Sequence, residues 1–466
     1  MYSTSNSMLA ASRHILKPRS GSRFFQSHYG AWIDGKEFNP PNAATYSVED
    51  PARRTELCTV LDADAAAVDK AVKSSRAAFE SGSWARMDVR DRAEILNEGA
   101  RALRKRVPEF AEVESIQTGR PIREMNAQLG RLPEWLEYFA AMIRTHEGTC
   151  PPFKGNYVNY VKRVPLGVAG LITPWNHPML IAIKKIAPAL AAGNSIIVKP
   201  SEFAPITVLE FAKLMTELGG KAPMVVFNDA DIEQAINGTV FGSFIATGQT
   251  CIAGTRLLVQ EDIYEEFVAR YVEKVKKIGI GDPQNPNTQM GPVINQGQLD
   301  KVAEFCSLGV QEGGKLLCGG RRPSGLPPSI SDGYYWEPTV IGGCRPDMRV
   351  VREEVFGPVI VAYPFKDEAD AIAKANDSDF GLAASVWSKD IKRAHRVADR
   401  LDVGIVWLND HHRNDPSSPW GGMKDSGVGR ENGIEALHEY TQTRSVVVGF
   451  DDTPFDWFVE GDARYG

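Results

Sequence analysis

From Val168 to Pro200 the chain reads VAGLITPWNHPMLIAIKKIAPALAAGNSIIVKP. Two short apolar runs flank a longer one with helical character. "VAGLITP" (168–174) predicts a buried strand, and "SIIVKP" another. Between them "IAIKKIAPALAAGN" predicts a helix ended by Gly193-Asn194. Strands separated by a helix pair in parallel, and parallel sheets need helices on their faces. The stretch therefore commits the chain to an α/β architecture. The theme recurs downstream. "APMVVF" reads as a strand, "DIEQAINGTVFGSFIATG" as a helix and "TRLLVQ" as a strand, and "IYEEFVARYVEKVKKI" is a strongly amphipathic helix. "GLAASVWS", "AHRVADRL" and "GIVWLN" repeat strand, helix and strand, so the second half is a further α/β domain.

The part before Tyr157 is helix-rich. "AWIDGKEF" opens as strand, turn and strand. "DAAAVDKAVKSSRAAF" has helical spacing. "RMDVRDRAEILNEGARALRKRVPEFAEVESIQTG" predicts two helices, the second entered through Pro108. "LPEWLEYFAAMIRTHEG" predicts one more. "YVNYVKRVPLG" then alternates apolar and polar residues, as an exposed strand or hairpin arm does. The tail "DDTPFDWFVEGDARYG" is acidic and aromatic. At the other end no Asp or Glu precedes Asp34, while Arg13, Lys17, Arg19 and Arg23 sit among serines. Residues 1–28 therefore have the composition of a mitochondrial transit peptide, interrupted by Pro18. Either a mitochondrial matrix or a cytoplasmic location is expected.

Bulk properties narrow the function. With 466 residues the chain can build two or three domains. The formal charge of −6 provides no dominant basic field, so nucleic acid is not an expected partner. No apolar run is long enough to span a bilayer, so no membrane role is expected. The six cysteines are scattered without a C-x-x-C pair, and the histidines show no H-E-x-x-H spacing, so no metal site is expected. His411-His412 lies in a polar loop and reads as surface.

Standard nucleotide and hydrolase signatures are missing: there is no G-x-G-x-x-G, P-loop or G-x-S-x-G. "GQTCIAG" (248–254) does stand out. It puts Cys251 among small and polar residues, where backbone N–H groups of a turn can stabilise a thiolate. Taken alone, such a cysteine is more often structural than catalytic.

Seven segments in order change that balance. They are "PWNHP" (174–178), "GNSIIVKPSE" (193–202), "TELGGK" (216–221), "GQTCIAG" (248–254), "EEVFGPV" (353–359), "GLAASVW" (381–387) and "PWGGMKDSGVGRE" (419–431). Along almost its whole length the chain resembles the aldehyde dehydrogenase superfamily. The resemblance implies NAD-dependent oxidation of an aldehyde to a carboxylic acid, with Cys251 as nucleophile. It places Asn176 and the Cys251 backbone N–H at the oxyanion, and Glu217 as general base for thioester hydrolysis. Lys199 and Glu202 match residues at the adenosine ribose. Glu202 can accept from ribose hydroxyls and repels a 2′-phosphate, which favours NAD over NADP. Ile172, Thr173, Pro174 and Trp175 match the strand end beside the cofactor, Glu354 and Phe356 the nicotinamide ribose, and Asn409 the substrate pocket. The implied fold is a Rossmann-type dinucleotide-binding domain (29–150 and 166–216), a catalytic domain (217–439) and a β oligomerisation arm (151–165 and 440–450) that makes a homodimer or homotetramer.

One departure matters. The family separates "KPSE" from "ELGGK" by several dozen residues carrying further strands and a pyrophosphate-binding turn at a helix N-terminus. Here "ITVLEFAKLM" runs directly into "TELGGK". A parallel crossover takes about 30 residues, so the interval has no room for the missing elements. A clean block loss between Met215 and Glu217 suggests alternative splicing or a mis-assigned exon. The cofactor domain should be incomplete and expose an edge or an apolar face. Two other functions stay open: a weak Cys251 thiol esterase with impaired cofactor binding, and a non-catalytic subunit.

Overall fold

A computed structural model describes residues 26–212, 222–450 and 458 of the chain. Glu217 and the whole of the 214–221 stretch lie outside the described residues, as do the leader to residue 25 and nearly all of the tail.

The second half is organised by a seven-stranded sheet. Its strands run in the order Lys315–Cys318, Thr339–Gly342, Val359–Phe365, Gly254–Gln260, Ala222–Val226, Ala383–Trp387 and Ile405–Leu408. Only the outermost pair, Lys315–Cys318 with Thr339–Gly342, is antiparallel. Side chains alternate across a strand, so a doubly covered sheet needs apolar residues at every position. The central strands show this directly. Val225, Leu258 and Val361 enter one core. Their neighbours Met224, Val226, Leu257, Val259, Ile360 and Ala362 enter the core on the opposite face.

The first half has its own core. The helices Val89–Thr118, Ile122–Leu129, Pro133–Thr145 and Pro178–Ala191 pack around Trp135, Phe139, Ile183 and Ile186. The two helices expected across Pro108 are one, Val89–Thr118, with Pro108 inside it. Ala100 and Leu103 before the proline and Phe110 and Ala111 after it enter the same core. That shared burial outweighs the backbone hydrogen bond that Pro108 cannot make.

The strands Val168–Ile172 and Ser195–Lys199 form a sheet of two parallel strands. The expectation that both are buried is corrected. Ala169 and Leu171 point into the helical core, but Gly170 and Ile172 are exposed, Ile172 by 66%. Ser195–Lys199 is only partly covered. Among the described residues this sheet has helices on one face and no third strand.

The strand Tyr157–Pro165 pairs antiparallel with Thr441–Gly449 over nine residue pairs in the same chain. Most of its side chains are exposed or half-buried, so the ribbon stands clear of both cores. No helix among the described residues is long and apolar enough to cross a membrane.

Candidate active site

Two backbone features build the site around Cys251. The expected helix 231–248 stops at Phe244, and Ala246, Thr247 and Gly248 follow with φ of 53°, 57° and 71°. Left-handed backbone costs roughly 1–2 kcal/mol per non-glycine residue and persists only where its surroundings enforce it. Here they do. All three residues are buried. Thr247 Oγ1 donates to the Gly291 carbonyl at 3.2 Å, and the Ile294 N–H donates to Gln249 Oε1 at 3.0 Å. A Cβ on Gly248 would lie 2.3 Å from the Gly357 oxygen, so only glycine fits there. The enforced reversal delivers Cys251, 6% exposed, to the start of the central strand Gly254–Gln260.

The second feature is the turn 174–177, which Pro178 converts into a helix at its first position. Asn176 is buried on this turn, and its Nδ2 donates to the Gln249 carbonyl at 3.0 Å. Arg120 braces the turn from behind. Its Nη1 donates to the Asn176 carbonyl at 3.1 Å and to His177 Nδ1 at 2.8 Å, and its guanidinium also pairs with Glu124. The structure thus brings Asn176 and Cys251 together from separate halves of the chain.

Cys251 packs with Trp407 and Trp420. His411, expected at the surface, is 1% exposed. Its ring lies 4.9 Å from Trp407, and Nε2 is 2.8 Å from the Ile252 carbonyl. Burial pushes its pKa down to about 4. Lys184 sits with its ammonium 3.9 Å from the centre of the Trp420 ring. Glu431 lies 3.9 Å from Lys184 and 3.3 Å from Lys185. Burial pulls Lys184 down to about 8 and raises Glu431, so each member of this pair is shifted toward its neutral form.

The expected cofactor residues collect at the carboxyl ends of the two parallel strands, where open α/β sheets hold ligands. Ile172 ends one strand and Lys199 the other. The Thr173 N–H donates to the Lys199 carbonyl at 2.9 Å. Lys199 and Glu202 face solvent, 66% and 53% exposed, with 3.5 Å between them. The Glu202 carboxyl is held below the usual range by its own backbone N–H and by Lys199. Pro174 leads into Trp175, whose ring meets Phe356 edge-on at 5.4 Å. Phe356 has φ of 55°, and its carbonyl accepts from Gln298 Nε2 at 2.8 Å; Glu354, two residues earlier, is half-buried. Thr173 Oγ1 is buried without a hydrogen-bond partner, an orphan of the kind a bound cofactor can satisfy. These residues fit the ribose and nicotinamide ends of NAD.

Asn409 sits elsewhere. Its Oδ1 accepts from the Ser388 N–H and its Nδ2 donates to the Ser388 carbonyl, both at 2.9 Å. Its amide therefore ties two strand ends together. A cavity of about 770 Å³ opens beside the site, lined by Leu180, Phe241, Phe244, Ile245 and His412 among others, and Asn409 is not part of its wall.

Comparison with known proteins agrees with this geometry. The model of the Aldehyde dehydrogenase family matches residues 38–217 and 210–446. The chain belongs to the aldehyde dehydrogenase family. It is 35% identical to betaine aldehyde dehydrogenase of Bacillus subtilis (strain 168), over 92% of this chain and 99% of that protein. It superposes on the crystal structure of betaine aldehyde dehydrogenase from Staphylococcus aureus in complex with NAD+ with a TM-score of 0.89 and 32% identity, covering 94% of this chain and 97% of that one. A point mutant of the same enzyme, in complex with NAD+ and with a BME-modified cysteine, gives 0.88 and 33%, covering 92% and 99%. The two family matches overlap at 210–217, across the junction where a block is expected to be missing. The alignment with the Bacillus aldehyde dehydrogenase spans 486 positions, although only 92% of these 466 residues take part. That relative therefore carries several dozen residues with no counterpart here.

Arg120, Lys184 and Lys185 escaped the sequence reading, His411 was expected at the surface, and His177 and Glu431 stood inside quoted motifs without a role of their own. His177 is part of "PWNHP", Lys184 and Lys185 follow it within two turns, and Glu431 closes "PWGGMKDSGVGRE", so the motifs and their flanks held a signal. Arg120 had none: it enters the site through the tertiary packing of Val89–Thr118 against the turn.

Proposed function

We propose that Cys251, Asn176 and Glu217 divide between them the oxidation of an aldehyde by NAD. The observation that carries this reading is the 3.0 Å bond from Asn176 to Gln249, which puts the amide beside the cysteine loop. The Cys251 sulfur attacks the aldehyde carbon; a C–S bond forms and the carbonyl π pair moves to oxygen. That oxyanion is met by the Asn176 amide and the Cys251 N–H, donors of a kind typically worth about 3–4 kcal/mol each. Thr173–Trp175, Lys199, Glu202, Glu354 and Phe356 would hold NAD, which when bound would supply the hydride acceptor for this carbon. Glu217 takes a proton from water as it attacks the resulting thioester, and the C–S bond breaks to release the acid and the thiolate. Burial of Cys251 against Trp407 and Trp420 keeps bulk water from the acyl carbon until that step.

The test is NADH formation from an aldehyde and NAD. Cys251→Ser is expected to abolish it; an unchanged rate would remove Cys251 from the mechanism. The uncovered sheet face at Ile172 and, among the described residues, the two-stranded sheet favour a second reading, a thiol esterase that turns over without NAD. A burst of product from an activated ester, lost in Cys251→Ser, with no NADH from any aldehyde, would select it. The exposed ribbon of Tyr157–Pro165 and Thr441–Gly449 further supports assembly as a homodimer or homotetramer.

A further inference from the structure

We infer that the cavity selects aldehydes whose far end carries a carboxylate or a similarly placed anion. The inference names the substrate class of the proposed dehydrogenase site and rests on that reading only for the reacting end.

Charge is the first ground. The cavity wall includes Arg123, Arg131, Lys274, Lys277 and Arg413, against one carboxylate, Glu124. Glu124 is already engaged by Arg120. Arg131 is held by Glu134 at 3.0 Å and Asp415 at 3.9 Å, and Arg413 by Asp410 at 2.8 Å. Arg123, Lys274 and Lys277 have no ion pair among the described residues. Outside the cavity wall, Lys184 and Lys185 share the single carboxylate of Glu431. The chain as a whole is acidic, with a formal charge of −6. A cavity with a cationic excess in an acidic chain draws anions by its local field.

An orphan donor is the second ground. Arg120 can only donate, so its 2.8 Å contact makes His177 Nδ1 the acceptor. Burial keeps this imidazole neutral, so its one proton sits on Nε2. That N–H is buried and has no hydrogen-bond partner. The His177 ring lies 6.4 Å from the ring of His412, which lines the cavity. This unsatisfied donor, one ring behind the cavity wall, adds to the local excess of donors over acceptors that an anion would answer.

The third ground bears on the opposite charge. A quaternary ammonium is recognised on aromatic faces. The Trp420 face beside Cys251 is already taken by the Lys184 ammonium, 3.9 Å from the ring centre. At that ring a cationic aldehyde would meet an ammonium, and the aromatic rings of the cavity wall, Trp135, Phe241 and Phe244, stand among the same wall's Arg131, Lys274 and Lys277.

Calorimetric binding of three product-like acids tests this without chemistry: glutarate, pentanoate and 4-trimethylammoniobutanoate. Each has one carboxylate for the reacting end, and they differ at the other. Glutarate is expected to bind about 10-fold more tightly than pentanoate, with the cation weakest, and the gap should narrow as salt is added. Lys274→Gln with Lys277→Gln should shrink the glutarate preference at least about 3-fold. Equal binding of all three, no binding of glutarate, or tightest binding of the cation would overturn the inference. NADH formation from 5-oxopentanoate is scored separately. If it is absent while the binding order holds, the dehydrogenase reading fails and the charge selection stands.

Discussion

Asn176 Nδ2 donates to the carbonyl of Gln249 at 3.0 Å, and Cys251 lies two residues further on. The bond joins residues 73 apart in sequence and fixes the amide against the cysteine loop. The same amide is the proposed oxyanion donor. Asn176→Ala should therefore lower kcat by about 10²–10³. Steady-state NADH kinetics would show it, with KM changing much less. A loss confined to KM would mean the amide binds ground-state substrate only.

Gly242 gives a test from outside the chemistry. A Cβ there would meet His411 Cδ2 at 2.5 Å and Cγ at 2.8 Å. The ring is boxed in by Trp407 and bonded to the Ile252 carbonyl. Gly242→Ala should displace it, cost about 1–3 kcal/mol, and slow acylation of Cys251 by an activated ester. Chemical denaturation and ester kinetics together check both effects.

Acid sensitivity follows from the buried imidazoles. His411 keeps a pKa of about 4 in the fold, against an ordinary 6.5, because burial penalises its charge. Below pH 6.5 the unfolded chain takes up a proton that the folded chain refuses until near pH 4. The group's full contribution is thus present above pH 6.5 and drains away as pH falls toward 4, on the order of 3 kcal/mol. His177 and His412 shift in the same direction for the same cause. Denaturation midpoints measured from pH 7 to 4 should fall steadily, and His411→Gln should flatten part of that slope.

Glu114 ties three elements together. This fully buried carboxylate accepts from Thr207 Oγ1 at 2.5 Å and from the Met179 N–H at 3.1 Å, at the start of the helix that follows Asn176. Glu114→Ala strands both donors, at about 1–3 kcal/mol each. A clear drop in thermal midpoint is expected, with a smaller loss for Glu114→Gln. Equal stability of the two variants and the parent would show that water replaces the carboxylate.

Much of the fold could be read from the one-dimensional pattern. The continuous apolar runs at 222–227 and 254–260 are what a doubly covered parallel strand requires, and the alternation at Tyr157–Pro165 is what an exposed ribbon requires. Burial of "VAGLITP" was overestimated because hydrophobicity announces a strand's capacity for two covers, not whether both exist. Pro108 misled because a local breaking signal was outweighed by core burial of residues 5–8 positions before it and 2–3 after it. At the site, the motif residues Asn176 and Cys251 were legible. Arg120, Lys184 and His411 were not: their roles come from which side chains tertiary packing buries together, and a polar loop such as 409–419 gives no sign that Trp407 will draw His411 inward.

The central claim is that a chain whose described cofactor sheet has two strands still works with NAD. Calorimetric titration of the full chain with NAD addresses it most directly. Binding in the micromolar range, weakened at least about 10-fold by Glu202→Ala, is the expected result. No heat at millimolar NAD would contradict it.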